Sequence, residues 1–155
     1  MKCFCISVFC AAALALSGCQ TEMPSPQRVS VDAVYVYNAD VLSNSDSPSA
    51  VVAKLSSADL AGCPQDFAKA YRAYVSAWSD FAETAKPMYS KNVKKATEDL
   101  RSFVETFGDN PSKAAVELKR GWPEFADAID KAATKLISTL AETKSMGVKY
   151  NAVYR

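Results

Sequence analysis

Three carboxylates, Glu124, Asp127 and Asp130, recur at three-residue intervals late in a 155-residue chain. That spacing sets them along one side of a helix. Such a row could bind a cation or supply an acid and a base. Glycoside hydrolysis, however, needs two carboxyls facing across a cleft, about 5–9.5 Å apart. Neighbours on one helix face make no cleft, so the row reads as solvated surface. Lys91, Lys94 and Lys95 form a basic counterpart, with Glu98 and Asp99 at i+4 spacing to offset it. Histidine is absent altogether. Ser-His-Asp and Cys-His nucleophiles therefore lack the imidazole that moves their proton. Zinc sites with His ligands and haem sites with axial His are excluded on the same ground. The glycines stand singly at 18, 62, 108, 121 and 147, so no Gly-rich phosphate loop exists. What remains for catalysis is a carboxylate pair or a Ser/Lys pair, as in some hydrolases and transferases.

The cysteines carry the most legible chemistry. Lys2 is followed by "FCISVFCAAALAL", Phe4 to Leu16, an uncharged run of thirteen residues. A membrane-spanning helix needs roughly 20 apolar residues, whereas a signal-peptide core needs about 7–15. Ser17, Gly18 and Cys19 come next. "LSGC", Leu16 to Cys19, resembles the lipobox of bacterial lipoproteins. The resemblance implies cleavage between Gly18 and Cys19, diacylglycerol on the Cys19 sulfur, and a membrane anchor of two or three acyl chains. One chain holds only marginally, since each buried CH₂ contributes about 0.8 kcal/mol. In that family an Asp after the cysteine marks inner-membrane retention. Gln20 stands here, so the resemblance implies the outer membrane and a periplasm-facing domain.

Processing of this kind simplifies the inventory. "CFC", Cys3 to Cys5, suggests a metal site, but it leaves with residues 1–18, as does Cys10. Cys19 is consumed by lipid, and Cys63 alone remains, so no intramolecular disulfide can form. Cys63 reads as a structural thiol or as a handle for intermolecular pairing. Loss of Lys2 leaves 17 basic and 17 acidic side chains in 137 residues. That length suits one domain with its own core. A nucleic-acid binder shows a clustered basic excess, and this chain has none.

The elements that must hold these groups are marked by prolines and glycines. Pro48, Pro64, Pro111 and Pro123 stand where helices should begin, since a first-turn residue needs no N–H. Gly108, Gly121 and Gly147 stand where they should end, Gly108 in the left-handed conformation. Between Pro64 and Ala85 the residues Phe67, Tyr71, Tyr74, Trp78, Phe81 and Ala85 follow a 4-3-4-3-4 rhythm, one helical stripe. Pro87 should stop that helix. A stripe of this kind reads as core, with Trp78 its central anchor. Its alternative role is the lining of a ligand cavity, and its hydroxyls and indole N–H should sit toward the rim, where partners exist. A second helix is predicted over Ser90 to Phe107, its face carrying Val93, Ala96, Leu100, Phe103, Val104 and Phe107. Asn110 should cap a short third helix, and Phe125, Ile129, Ala132, Leu136 and Leu140 mark the last. "LAGCPQDFAKAYRAYVSAW" also resembles the Cys-Pro-x-Asp-Phe helix start of short exported bacterial proteins, a resemblance that brings no activity with it.

Val29 to Leu42 is ambiguous. Val31, Val34, Tyr35, Val41 and Leu42 fit a helix; Val29, Val31, Ala33, Tyr35 and Tyr37 fit a strand. The only candidate partner strand is "VKYNAVYR" at the carboxyl end, and a lone pair is marginal, so helix is preferred. The expected protein is all-α, a small bundle of about three long helices plus short ones. Its organisation is a leader over 1–18, an acylated tether over 19–30 and one helical domain over 31–155. Eleven tether residues, 20–30, reach at most about 35–40 Å. The expected role is a non-catalytic, lipid-anchored module without metal or cofactor. It would contact an envelope protein or bind a small apolar ligand between helices. A carboxylate- or Ser/Lys-based envelope hydrolase or transferase is the alternative.

Overall fold

The computed structural model describes residues 24–154. The leader, the Gly18–Cys19 cleavage pair and the first part of the tether lie outside them. The described chain is all-α. It runs through α1 (Pro26–Ser43), α2 (Pro48–Leu55), α3 (Gln65–Lys91), α4 (Val93–Asp109), α5 (Pro111–Gly121), a 3₁₀ turn (Pro123–Phe125) and α6 (Ala126–Lys149). Four helices are long, one more than expected, because the ambiguous stretch forms α1. Residues 26–30, assigned above to the tether, are its first turns. Ser25 explains that boundary: its hydroxyl accepts from the Arg28 N–H at 3.2 Å, and Pro26 opens the helix.

Asparagine side chains cap α4 and α5. Asn92 accepts from the Lys95 N–H and Asn110 from the Lys113 N–H, both at 3.0 Å. Each ends one helix and starts the next, so α3, α4 and α5 follow one another without loops. The central helix is α3, packed most extensively on α6 and also on α2 and α4; α1 lies on α4 and α2. Trp78 is fully buried. Its ring meets those of Tyr74, Phe81, Phe103 and Phe107 at centroid distances of 5.0–6.4 Å.

Pro87, Val93 and Gly108 act differently from expectation. Pro87 does not stop α3, which runs on to Lys91. An interior proline forfeits one hydrogen bond and strains the preceding turn. Burial of Ala85 and Met88 on either side of it compensates. Val93 is exposed because it is the first residue of α4, beyond the reach of the core. No described glycine has a positive φ. Gly108 lies inside α4, and Asn110 provides the stop instead.

Gly147 is the most instructive departure. It lies within α6, and the left-handed position falls four residues later at Asn151, φ 57°. Ala152 N–H donates to the Gly147 carbonyl at 3.0 Å, and Asn151 N–H to the Val148 carbonyl at 2.9 Å. These two bonds form a Schellman motif, and asparagine tolerates its left-handed residue best after glycine. Gly147 serves a different need. A Cβ there would run into the Tyr35 hydroxyl and lie 2.6 Å from Tyr35 Cζ. The glycine is a notch for Tyr35, whose hydroxyl donates to the Thr143 carbonyl at 2.9 Å.

Beyond the motif the chain folds back onto α1. Val153 N–H donates to Asp32 at 3.3 Å, and buried Asn38 donates to the Tyr154 hydroxyl at 2.6 Å. The rings of Tyr35 and Tyr154 meet edge to face at 5.0 Å.

A second clamp joins the start of α3 to the end of α6. Asp66 accepts from Lys149 Nζ at 2.5 Å and from the Tyr150 hydroxyl at 2.7 Å. These donors hold its carboxyl down at about 2, from an ordinary 3.8. The folded state therefore favours the ionised form. Its contribution to stability is complete above the unfolded value and is lost as pH falls through about 2. Wild type should lose melting temperature more steeply than Asp66→Asn as pH falls through that interval; parallel curves would show that the clamp contributes nothing.

Candidate functional site

The structure disperses the groups that could do acid–base chemistry. Glu124 pairs with Lys91 at 2.8 Å, and the lysine holds its carboxyl below the usual range. Asp130 pairs with Lys119. Asp127 is exposed. Lys95 contacts Asp99 at 2.6 Å and the Gly121 carbonyl at 2.8 Å, and lies 4.1 Å above the centre of the Trp122 ring. Asp99 also accepts from the Trp122 indole N–H at 2.8 Å. The expected i+4 offset of the basic cluster is thus made by Lys95–Asp99, which closes α4 onto the end of α5. Among the described residues, no three His, Cys, Asp or Glu side chains are grouped to hold a metal ion.

The aromatic stripe is core, as its rhythm implied, but its polar atoms are not at a rim. Tyr71, Tyr74 and Trp78 are wholly buried. Their hydroxyls and indole N–H make no hydrogen bond to described residues. Burial pushes both phenols well above their ordinary value, and pushes Tyr35 and Tyr154 up to about 12. Such phenols stay neutral near pH 7 and cannot serve as bases. The Cys63 thiol is half-buried and is pushed up by that burial and by Asp59, which lowers its thiolate fraction.

Two surface features remain. The first is the outer side of α1. Val29, Ala33 and Val36 fall at 4-3 spacing on one ridge, with Val29 52% and Val36 71% exposed. Val153, 61% exposed, flanks Val36 across a shallow depression whose rim carries Arg28 and Asp32. Those two charges face each other at 3.5 Å, leaving the ridge locally neutral. Sequence reasoning missed this ridge, although two of its residues, Val29 and Ala33, also stood on the candidate strand face.

The second feature is a groove of about 500 Å³ between the end of α2, the connection after it and α3. Ala58, Leu60, Ala61 and Val75 give it apolar side chains over buried Leu55 and Tyr71, and Ser56 and Arg72 complete the lining. Pinning of the connection shapes it. The Tyr37 hydroxyl donates to the Lys54 carbonyl at 2.7 Å, and Gly62 lies so close to Ser30 that a Cβ would meet its hydroxyl at 2.6 Å. Arg72 makes no ion pair or hydrogen bond among the described residues, and its helical neighbours Ala68, Lys69, Val75 and Ser76 include no carboxylate. Compared with protein-family models, curated protein sequences and solved structures, the chain matches none.

Proposed function

We propose that this chain is a membrane-anchored lipoprotein whose helical domain faces the periplasm and works by binding, without catalysis. The lipobox-like "LSGC" supports acylation of Cys19, and Gln20 supports the outer membrane. The observation that carries the binding role is the neutral valine ridge of α1. An exposed apolar strip on a well-packed domain is the signature of a contact surface. Its side chains fall well short of the roughly 800 Å² a side that a standard complex buries. A small strip of this kind suffices where anchoring already confines both partners to one surface and raises their effective concentration. The partner is then another envelope protein at the same membrane. No described helix is long and apolar enough to cross a membrane, so in this reading attachment rests on Cys19.

The experiment places a photo-reactive side chain at position 36, and separately at exposed Val116 on α5, in the full chain expressed in a bacterium. Position 36 should give a discrete cross-linked product that position 116 lacks. The mass of the membrane-extracted amino terminus should begin at acylated Cys19. An unmodified Cys19 thiol on a soluble product sinks the anchor, and equal cross-linking from both positions sinks the ridge.

A further inference from the structure

The groove between α2 and α3 combines two properties that one kind of ligand unites. Its wall carries apolar side chains at Ala58, Leu60 and Val75, over buried Leu55. Its edge carries Arg72, a permanent cation with no carboxylate beside it on α3. A neutral apolar ligand would use the wall and leave the guanidinium idle. A small inorganic anion would use the guanidinium and leave the wall wet. We propose that this groove binds a single-chain fatty carboxylate, its headgroup on Arg72 and its chain along Ala58, Leu60 and Val75.

The place of the groove in the fold favours such a ligand. Ala61 lines it, and the next residue, Gly62, packs on Ser30 in the first turns of α1. It therefore opens near the end of α1 from which the chain runs back to Cys19. Seven residue steps separate Cys19 from Pro26 and span at most about 25 Å. An acylated Cys19 would hold the start of α1 within that distance of a bilayer, where fatty carboxylates partition. This last point rests on the anchored reading; the chemistry of the groove does not.

The test uses the full chain and a photoreactive dodecanoate supplied from solution, with its methyl ester as the uncharged control. Irradiation followed by peptide mass spectrometry should place the adducts within residues 55–75. The ester should label far less. Arg72→Gln should cut the yield about tenfold, the effect of losing one charge-assisted hydrogen bond, and Arg72→Lys should retain more. Arg72 is exposed, so unchanged unfolding midpoints will show that both variants fold. Equal labelling by the ester would mean an acyl groove indifferent to charge and would overturn the proposal, as would adducts elsewhere, none at all, or an unaffected Arg72→Gln. Because the probe comes from solution, the result is read whether or not Cys19 proves to be acylated.

Discussion

Replacing Trp78 with alanine should remove about 3–5 kcal/mol of stability, through lost transfer energy and the cavity left behind. A domain of this size commonly has only about 5–15 kcal/mol in total, so the unfolding midpoint should fall steeply. The size of the effect follows from position. Trp78 is fully buried midway along α3 and touches rings from both α3 and α4, with Phe107 nearest at a centroid distance of 5.0 Å. Collapse of neighbours into the void is hindered because Phe81 and Phe103 are already stacked on each other at 4.3 Å. Trp78→Phe should cost much less. It keeps most of the volume and discards an indole N–H that has no partner among the described residues. Denaturant unfolding of both variants decides the matter. A midpoint for Trp78→Ala like that of wild type would move the aromatic stripe from core to binding surface.

Gly147→Ala should also destabilise, against the usual sign. Within a helix, alanine is normally favoured over glycine by about 1 kcal/mol. Here the new methyl would collide with the Tyr35 ring and displace a hydroxyl that bonds the Thr143 carbonyl. Overpacking of this kind costs about 1–3 kcal/mol. Tyr35→Phe should rescue only in part, because ring carbons Cζ and Cε2 would still stand 2.6 and 2.8 Å from the added atom. In a Tyr35→Ala background the same substitution should turn stabilising. Thermal unfolding of the four variants forms a double-mutant cycle, and additive effects would refute the notch.

The contrast between Trp78 and Gly147 shows what the chain discloses about its fold. Trp78 was legible because apolar periodicity is a local pattern, repeated over about five turns of α3. The cap at Asn110 was legible for the same reason, since it acts on a backbone N–H three residues away. Gly147 was misread because its role depends on Tyr35, more than a hundred residues earlier. Pro87 was misread because tertiary burial of Ala85 and Met88 outweighed a local preference. The valine ridge has a subtler history. Val29, Ala33 and Val36 are apolar on the side opposite Val31, Val34 and Tyr35, so α1 has two apolar faces. That doubling imitates the alternation of a strand, and only the packed structure separates the inner stripe from the outer. The groove was hidden because its parts come from α2, α3 and the connection between them. A local clue did exist, in an arginine without a carboxylate at i±3 or i±4.

The fold-back of the carboxyl end onto α1 bears on the order of assembly. The bonds that seat the inner face of α1 link residues 108 and 116 positions apart, Tyr35 to Thr143 and Asn38 to Tyr154. Loops of that length are slow to close relative to neighbouring helices that meet through adjacent sequence. A chain made from its amino end presents α1 first and the residues that complete its seat last. The earliest described helix is therefore completed late: the Tyr35 hydroxyl waits for Thr143 and the Asn38 amide for Tyr154.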